Sequence, residues 1–268
     1  MLDKLDEWFA EDFGKGDFTS QAVVENITCE ANITGGPGII SGLNICLALL
    51  DRHDIDYTTD YSDGDTIDSP LIISLKGKAH DILATERLLL NILSHLSGIS
   101  THTNKIVKIA KEANPNVEIL ATRKTLPGLR DLEKEAVVHG GGQTHRMRLD
   151  DAILIKDNHL NLSNSIKESI SLSRIKYPDL MLEVEADNEE QALEIAECGA
   201  DRVMLDNFTP LDAAKTIKKL RQISNIEIEI SGGVTIENVA DYAKNTDFIS
   251  LGILTMSSLP VDFSLHVI

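Results

Sequence analysis

After Pro115 the chain settles into a regular rhythm of short apolar runs separated by longer amphipathic ones. Runs of strand length fall at 117–122, 152–156, 181–186, 202–206, 226–231 and 248–252. Between them lie segments of helical spacing at 129–139, 162–177, 189–198, 211–223 and 236–244. Strand and helix in strict succession predict a parallel sheet joined by right-handed crossovers. Six strands fit a partial or irregular α/β barrel rather than a closed eight-stranded one. A doubly wound open sheet is the competitor, but no GxGxxG follows the first strand to support it.

The front of the chain reads differently. A helix over 2–11 gives way to the turn-rich FGKGDFTS, where Gly14 and Gly16 break it. In ITCEANIT, Ile27, Cys29, Ala31 and Ile33 alternate with polar neighbours, which predicts a half-buried strand. GGPGIISG makes a turn and a short strand, a helix follows over 43–52, and LIISLKGKA reads as a further strand. Together these predict an α+β layer ahead of the barrel, so the chain as a whole is of the α/β class. HDILATERLLLNILSHL is apolar on nearly every face and predicts a helix buried all round, ended by Ser97-Gly98 and followed by a second helix over 101–113. Arg87 stands inside the first of these. An internal ion pair, an anionic ligand and a subunit contact are all open for it.

Composition narrows the picture. With 268 residues, 42% of them hydrophobic, the chain has enough apolar material for one large domain or two. No apolar run approaches the ~18 residues of a membrane span, and the acidic, amphipathic start is unlike a signal peptide, so a cytoplasmic protein is expected. Cys29, Cys46 and Cys198 are scattered without CxxC spacing and read as buried, reduced thiols. The formal net charge of -18 argues against sequence-independent nucleic-acid binding.

Against that acidic background, residues 121–159 gather Arg123, Lys124, Arg130, His145, Arg146, Arg148, Lys156 and His159. Like charges crowd in this way when an anionic ligand supplies the counter-charge. Asp131, Glu133, Lys134 and Glu135 read instead as an exposed mixed-charge helix face. Arg123-Lys124, Lys156, Glu185, Asp206, Ser231-Gly232-Gly233 and Gly252 each close one of the six strands, where a barrel places its chemistry. Glu185 and Asp206 end consecutive strands and could hold magnesium; the alternative, that one or both pair with Lys156 or an arginine, stays open. Ser231-Gly232-Gly233, ahead of a helix start, and Gly252 offer close backbone approach for a phosphate, with a plain glycine turn as the alternative. His145-Arg146, behind a GGG turn, suits a carboxylate ligand; a satisfied structural role for the histidine is the alternative.

The segments TRKTLPGLR, EKEAVVHGGGQTHR, LIKDNH, EVEA, VMLDN and SGG resemble the quinolinate phosphoribosyltransferase family, and EDFGKGDFTS, ERLLLN and LSGIST fit its front section. The resemblance implies an N-terminal α/β sandwich domain over 1–106, with 256–268 packing back on it, and a partial α/β barrel over 107–255. It implies a magnesium-dependent enzyme that converts quinolinate and phosphoribosyl pyrophosphate to nicotinate mononucleotide, carbon dioxide and pyrophosphate. Carried across by position, Arg123, Lys124, His145, Arg146 and Lys156 would hold the dicarboxylate and part of the pyrophosphate. Glu185 and Asp206 would bind the metal, and Ser231, Gly232, Gly233 and Gly252 would take the 5-phosphate. The implied assembly is a homodimer or dimer-based oligomer, with Arg87 supplied by the neighbouring subunit. Met256 stands where the family often has histidine, and TRKTL replaces the more usual TRKTT. The rivals are a nicotinate phosphoribosyltransferase without decarboxylation, a Schiff-base aldolase using Lys156, and a non-catalytic anion-binding paralogue.

Overall fold

A computed structural model describes residues 4–268. The expected helix over 2–11 therefore begins outside the described residues. Its remainder is α1 (Leu5–Phe13), followed by α2 (Phe18–Val23), β1 (Thr28–Gly35), α3 (Leu43–Arg52), β2 (Asp56–Thr58) and β3 (Leu71–Lys78). The long helix α4 (Ala79–Ala113) comes next. Contacts divide the chain into two compact units, one of the described residues up to Asn104 with Glu135–Gly141 and Ser258–Ile268, the other of Lys105–Lys134 and Gly142–Ser257.

In the first unit β1 is the centre of a four-stranded antiparallel sheet. It pairs with β3 on one side and with the C-terminal strand, Phe263–Val267, on the other. The alternation read in ITCEANIT is present, with Ala31 and Ile33 fully buried between more exposed neighbours. Ile27 precedes the strand and is exposed.

Helix α4 corrects two expectations. It runs unbroken for 35 residues instead of stopping at Ser97-Gly98. Gly98 serves close packing: a Cβ there would stand 2.4 Å from the Leu259 carbonyl oxygen, so the glycine admits another backbone without breaking the helix. The helix is also not buried all round, because Arg87 and Asn91 form an i, i+4 stripe exposed to solvent in the single chain. Cys46 is buried as expected, whereas Cys29 and Cys198 are half-buried.

The second unit carries β4 (Glu118–Ala121), the first half of α5 (Arg130–His139, counted with the first unit from Glu135), β5 (Gln143–Thr144), β6 (Ile153–Ile155), α6 (Asp157–Leu160), α7 (Ile166–Lys176), β7 (Leu182–Ala186), α8 (Glu189–Glu197), β8 (Arg202–Asp206), α9 (Pro210–Ile223), β9 (Glu227–Ser231), α10 (Val239–Ala243), β10 (Phe248–Leu251) and α11 (Ile253–Met256). The final strand of the first unit is β11. Every pairing in the second sheet is parallel, and its order β5-β4-β10-β9-β8-β7-β6 leaves β5 and β6 as unjoined edges. The chain is thus an α/β protein with a small antiparallel sheet and a partial parallel barrel. The barrel has seven strands because the two-residue β5 is too short to show as an apolar run.

Side chains cap the helices that leave the strand ends. Asn188 accepts from the Gln191 amide at the start of α8, and Thr209 accepts from the Asp212 amide ahead of Pro210 in α9. Each strand can therefore end abruptly, with its last side chains free to face the mouth.

Candidate active site

Register sets the inward residues in layers. Glu183 pairs across with Arg202, Glu185 with Met204, Met204 with Glu229, and Asp206 with Ser231. Because strand side chains alternate with period two, Glu183 and Glu185 share one face of β7, and Glu229 and Ser231 share one face of β9.

Above these layers opens a cavity of about 450 Å³. It is lined by Arg123, Lys124, His145, Arg146, Lys156, Asp206, Ser231 and Gly232, together with Thr122, Leu154, Met204, Asn207, Glu229 and Ser250. Most of the residues picked out in the sequence therefore meet in one place. Gly233 follows at the rim and is exposed. Gly252 does not line the cavity but abuts it, since a Cβ there would stand 2.7 Å from Lys124 Cδ. Arg87 belongs to the other unit.

The acidic side of the mouth is built from the ends of β7 and β8, with Lys156 reaching it from the end of β6. Lys156 Nζ forms a direct ion pair with Glu185. Glu185, Asp187 and Asp206 each offer one carboxylate oxygen within 4.8 Å of the others. Burial first, and then the Glu185 charge, raise the Asp206 pKa above its ordinary value. The Asn207 side-chain amide donates to Asp206 Oδ2 at 2.5 Å from a residue with φ of 58°.

The basic side is held from below. Burial alone would lower the His145 pKa, but hydrogen bonds from Nε2 to Glu183 Oε2 at 2.9 Å and Glu229 Oε2 at 3.3 Å, with both charges, raise it to about 9. The Arg146 amide lies 2.7 Å from His145 Nδ1, a contact between chain neighbours that opposes a proton there. The two carboxylates together outweigh that one amide dipole. Glu183 is pushed up to about 7 by its burial and by Glu229, while for Glu229 the His145 bonds outweigh burial and lower it. Arg202 donates to Glu229 at 3.3 Å and to Glu227 at 2.7 Å, and stacks 3.8 Å above the Phe248 ring. Arg123 Nε is buried with no hydrogen-bond partner, so this guanidinium still wants an acceptor.

Two expectations fail here. Glu133 and Lys134 do not belong to an exposed face: both are fully buried. Glu133 Oε2 accepts from the Leu126 amide at 3.0 Å, and Lys134 Nζ donates to the carbonyls of His145 and Arg146 at 2.8 Å each. Polar partners inside the unit replace water for both. Arg130 is likewise structural, donating from Nη1 to the Met147 carbonyl at 3.1 Å and from Nε to Thr125 Oγ1 at 3.2 Å. Asp187, Glu183 and Glu229 were not picked out from the sequence as site residues. For the two glutamates the alternation E-V-E in LEVEA and E-I-E in EIEIS was the available signal, since both strands bury one of their two glutamates fully.

A parallel half-barrel whose strand ends bring five basic side chains against a carboxylate cluster is the form of an α/β-barrel enzyme acting on polyanionic substrates. Comparison with known proteins makes this specific. The family models for the N-terminal and C-terminal domains of quinolinate phosphoribosyl transferase match residues 17–97 and 99–266. A probable nicotinate-nucleotide pyrophosphorylase [carboxylating] of Archaeoglobus fulgidus is 42% identical over 241 residues, covering 88% of this chain and 93% of that protein. Its Bacillus subtilis counterpart is 39% identical over 270 residues, covering 98% and 92%. The structure of the nicotinate-nucleotide pyrophosphorylase from Francisella tularensis superposes with a TM-score of 0.94 at 33% identity, covering 100% of this chain and 95% of that one. The chain belongs to the quinolinate phosphoribosyl transferase family. It is a phosphoribosyltransferase, an enzyme of nicotinate-nucleotide and NAD biosynthesis. Among the described residues no helix is long and apolar enough to cross a membrane.

Proposed function

We propose that the protein transfers a phosphoribosyl group from phosphoribosyl pyrophosphate to quinolinate and releases carbon dioxide and pyrophosphate, leaving nicotinate mononucleotide. The observation that carries this is the single cavity in which Arg123, Lys124, Arg146 and Lys156 face Asp206 across the strand ends. A pyridine with two carboxylates needs forked and point-charge donors together, and the unpartnered Arg123 Nε fits such an acceptor. His145, whose Nε2 is taken up by Glu183 and Glu229, adds a fixed positive charge to the floor. Lys156, tied to Glu185, is a poor Schiff-base nucleophile but a well-placed cation.

The carboxylates of Glu185, Asp187 and Asp206 suit magnesium, because one oxygen from each already converges and because burial first, and then the neighbouring carboxylates, raise the Asp206 pKa, which a cation there would offset. Magnesium there would neutralise the pyrophosphate leaving group. Loss of pyrophosphate develops cationic character at the anomeric carbon, which fixed carboxylates stabilise more in the transition state than in the substrate. Attack by the ring nitrogen gives a pyridinium. As the adjacent carboxylate leaves as carbon dioxide, the electron pair of the broken C–C bond stays on the ring carbon as an ylide that the neighbouring positive nitrogen stabilises, and that carbon then takes a proton from water, so no organic cofactor is needed.

Ser231, Gly232, Gly233 and Gly252 are assigned to the 5-phosphate. Positive φ at Gly232 and Gly233, 79° and 65°, turns backbone amides outward. Arg87, exposed on its own chain, is assigned to the active site of a partner subunit in a homodimer or dimer-based assembly. Calorimetric titration with quinolinate and with nicotinate tests the binding half of this reading. Quinolinate is expected to bind and nicotinate at least about tenfold more weakly, since one bidentate pair is lost; equal affinity for both would overturn it.

A further inference from the structure

Lys134 is among the largest side chains that the chain buries completely, and it carries an ammonium group. A buried ammonium is tolerated only where hydrogen bonds replace its water. Here Nζ donates to two consecutive carbonyls, His145 O and Arg146 O, each at 2.8 Å. One turn earlier on α5, Arg130 Nη1 takes the next carbonyl, Met147 O, at 3.1 Å. Three successive peptide oxygens are therefore drawn onto one helix face. The same face reaches the other basic loop, through Arg130 Nε to Thr125 Oγ1 at 3.2 Å and Glu133 Oε2 to the Leu126 amide at 3.0 Å.

Residues 130, 133 and 134 have the i, i+3, i+4 spacing that places side chains together on a helix. The two segments they bind carry Arg123-Lys124 on one side and His145-Arg146 on the other, all four lining the cavity. With the carbonyls of His145 and Arg146 held at α5, their side chains are left to the cavity.

We propose that Lys134 is a positioning residue: its ammonium clamps the His145-Arg146 peptide and, with Arg130 and Glu133, locks the two basic loops into one rigid anion-binding wall. The inference rests on the reading that this wall binds the dicarboxylate. An apolar side chain of the same length would leave two consecutive half-buried carbonyls without their donor, and the segment would be free to turn toward water. Arg146 would then move relative to Arg123, and displacement of about 1 Å is enough to cost a large factor in a positioned reaction.

The test is Lys134→Met in the full-length enzyme, with three readouts. Quinolinate KM is expected to rise at least ~10-fold and phosphoribosyl pyrophosphate KM by clearly less, since only part of the pyrophosphate is assigned to this wall. Amide hydrogen exchange measured by mass spectrometry is expected to speed up over residues 143–148 and to stay unchanged across β7 to β10. If Lys134→Met does not fold, Lys134→Gln, which keeps one amide donor in a shorter side chain, takes its place on the same readouts. Unchanged quinolinate KM with unchanged exchange at 143–148 overturns the proposal, as does an equal rise in both KM values. Should the unmodified enzyme show no turnover with quinolinate, the functional reading fails, and exchange at 143–148 alone decides the clamp.

Discussion

His145 Nε2 stands 2.9 Å from Glu183 Oε2 in the wall of the half-barrel, and both side chains are nearly excluded from solvent. With Glu229 Oε2 at 3.3 Å on the same nitrogen, the imidazole pKa rises from 6.5 to about 9. The His145 ring proton resonances, assigned by their absence in His145→Gln, are expected to stay flat through neutral pH and titrate near 9. A midpoint at or below 6.5 would show that burial and the Arg146 amide offset the two carboxylates.

The same pair fixes a sign for stability. A histidine whose folded pKa exceeds its unfolded value contributes stability that is complete below about 6.5 and is lost as pH rises through about 9. Glu183, raised from 4.5 to about 7, gives a decline in the same direction at lower pH. Urea midpoints are expected to fall from pH 6 to 9, and to fall less in His145→Gln.

Glu185 and Asp206 carry the acidic side of the mouth. Glu185→Gln and Asp206→Asn are each expected to lower kcat by at least ~100-fold, in line with the loss of a preorganised electrostatic group. Both should also raise the magnesium concentration needed for half-maximal activity. Steady-state kinetics across a magnesium series checks this; unchanged magnesium dependence would move the metal elsewhere.

The two adjacent glycines separate sharply. A Cβ on Gly232 would stand 2.2 Å from Asn207 Oδ1 and 2.9 Å from the Asn207 backbone nitrogen, whereas one on Gly233 meets nothing within 4 Å. Both have positive φ, so each alanine bears a strain of ~1–2 kcal/mol. Gly233→Ala is expected to lose little beyond that. Gly232→Ala must also shift Asn207 off Asp206, so its KM for phosphoribosyl pyrophosphate should rise while that of Gly233→Ala changes less.

The parts of the fold that repeat were legible, because strand and helix alternate with clean periods from β4 to β10. The misreadings have local causes. Ser97-Gly98 looks like a helix stop, yet Gly98 is small so that Leu259 can pass, which is a tertiary reason invisible in a local window. Glu133 and Lys134 look like a solvated face because charge is read as exposure; their partners are backbone groups of loops up to a dozen residues away. The cations at the strand ends could be found from their position after apolar runs. Asp187, one residue past β7, could not, since nothing local tells a loop aspartate from a metal-facing one.

Arg87 is exposed on its own chain, so Arg87→Ala should change stability by no more than ~0.5 kcal/mol. Loss of quinolinate turnover without loss of folding is expected if it serves a partner's site. Mixing Arg87→Ala with Lys156→Ala should then restore part of the activity through hybrid dimers. Absence of any restoration in mixed dimers would remove the intersubunit role.

The most direct test of the whole account is a stoichiometric assay with phosphoribosyl pyrophosphate, magnesium and either quinolinate or nicotinate, measuring mononucleotide and carbon dioxide together. The cationic wall and carboxylate cluster predict equal amounts of nicotinate mononucleotide and carbon dioxide from quinolinate, and no mononucleotide from nicotinate. Mononucleotide formed from nicotinate alone, or no turnover with either acid, would contradict it.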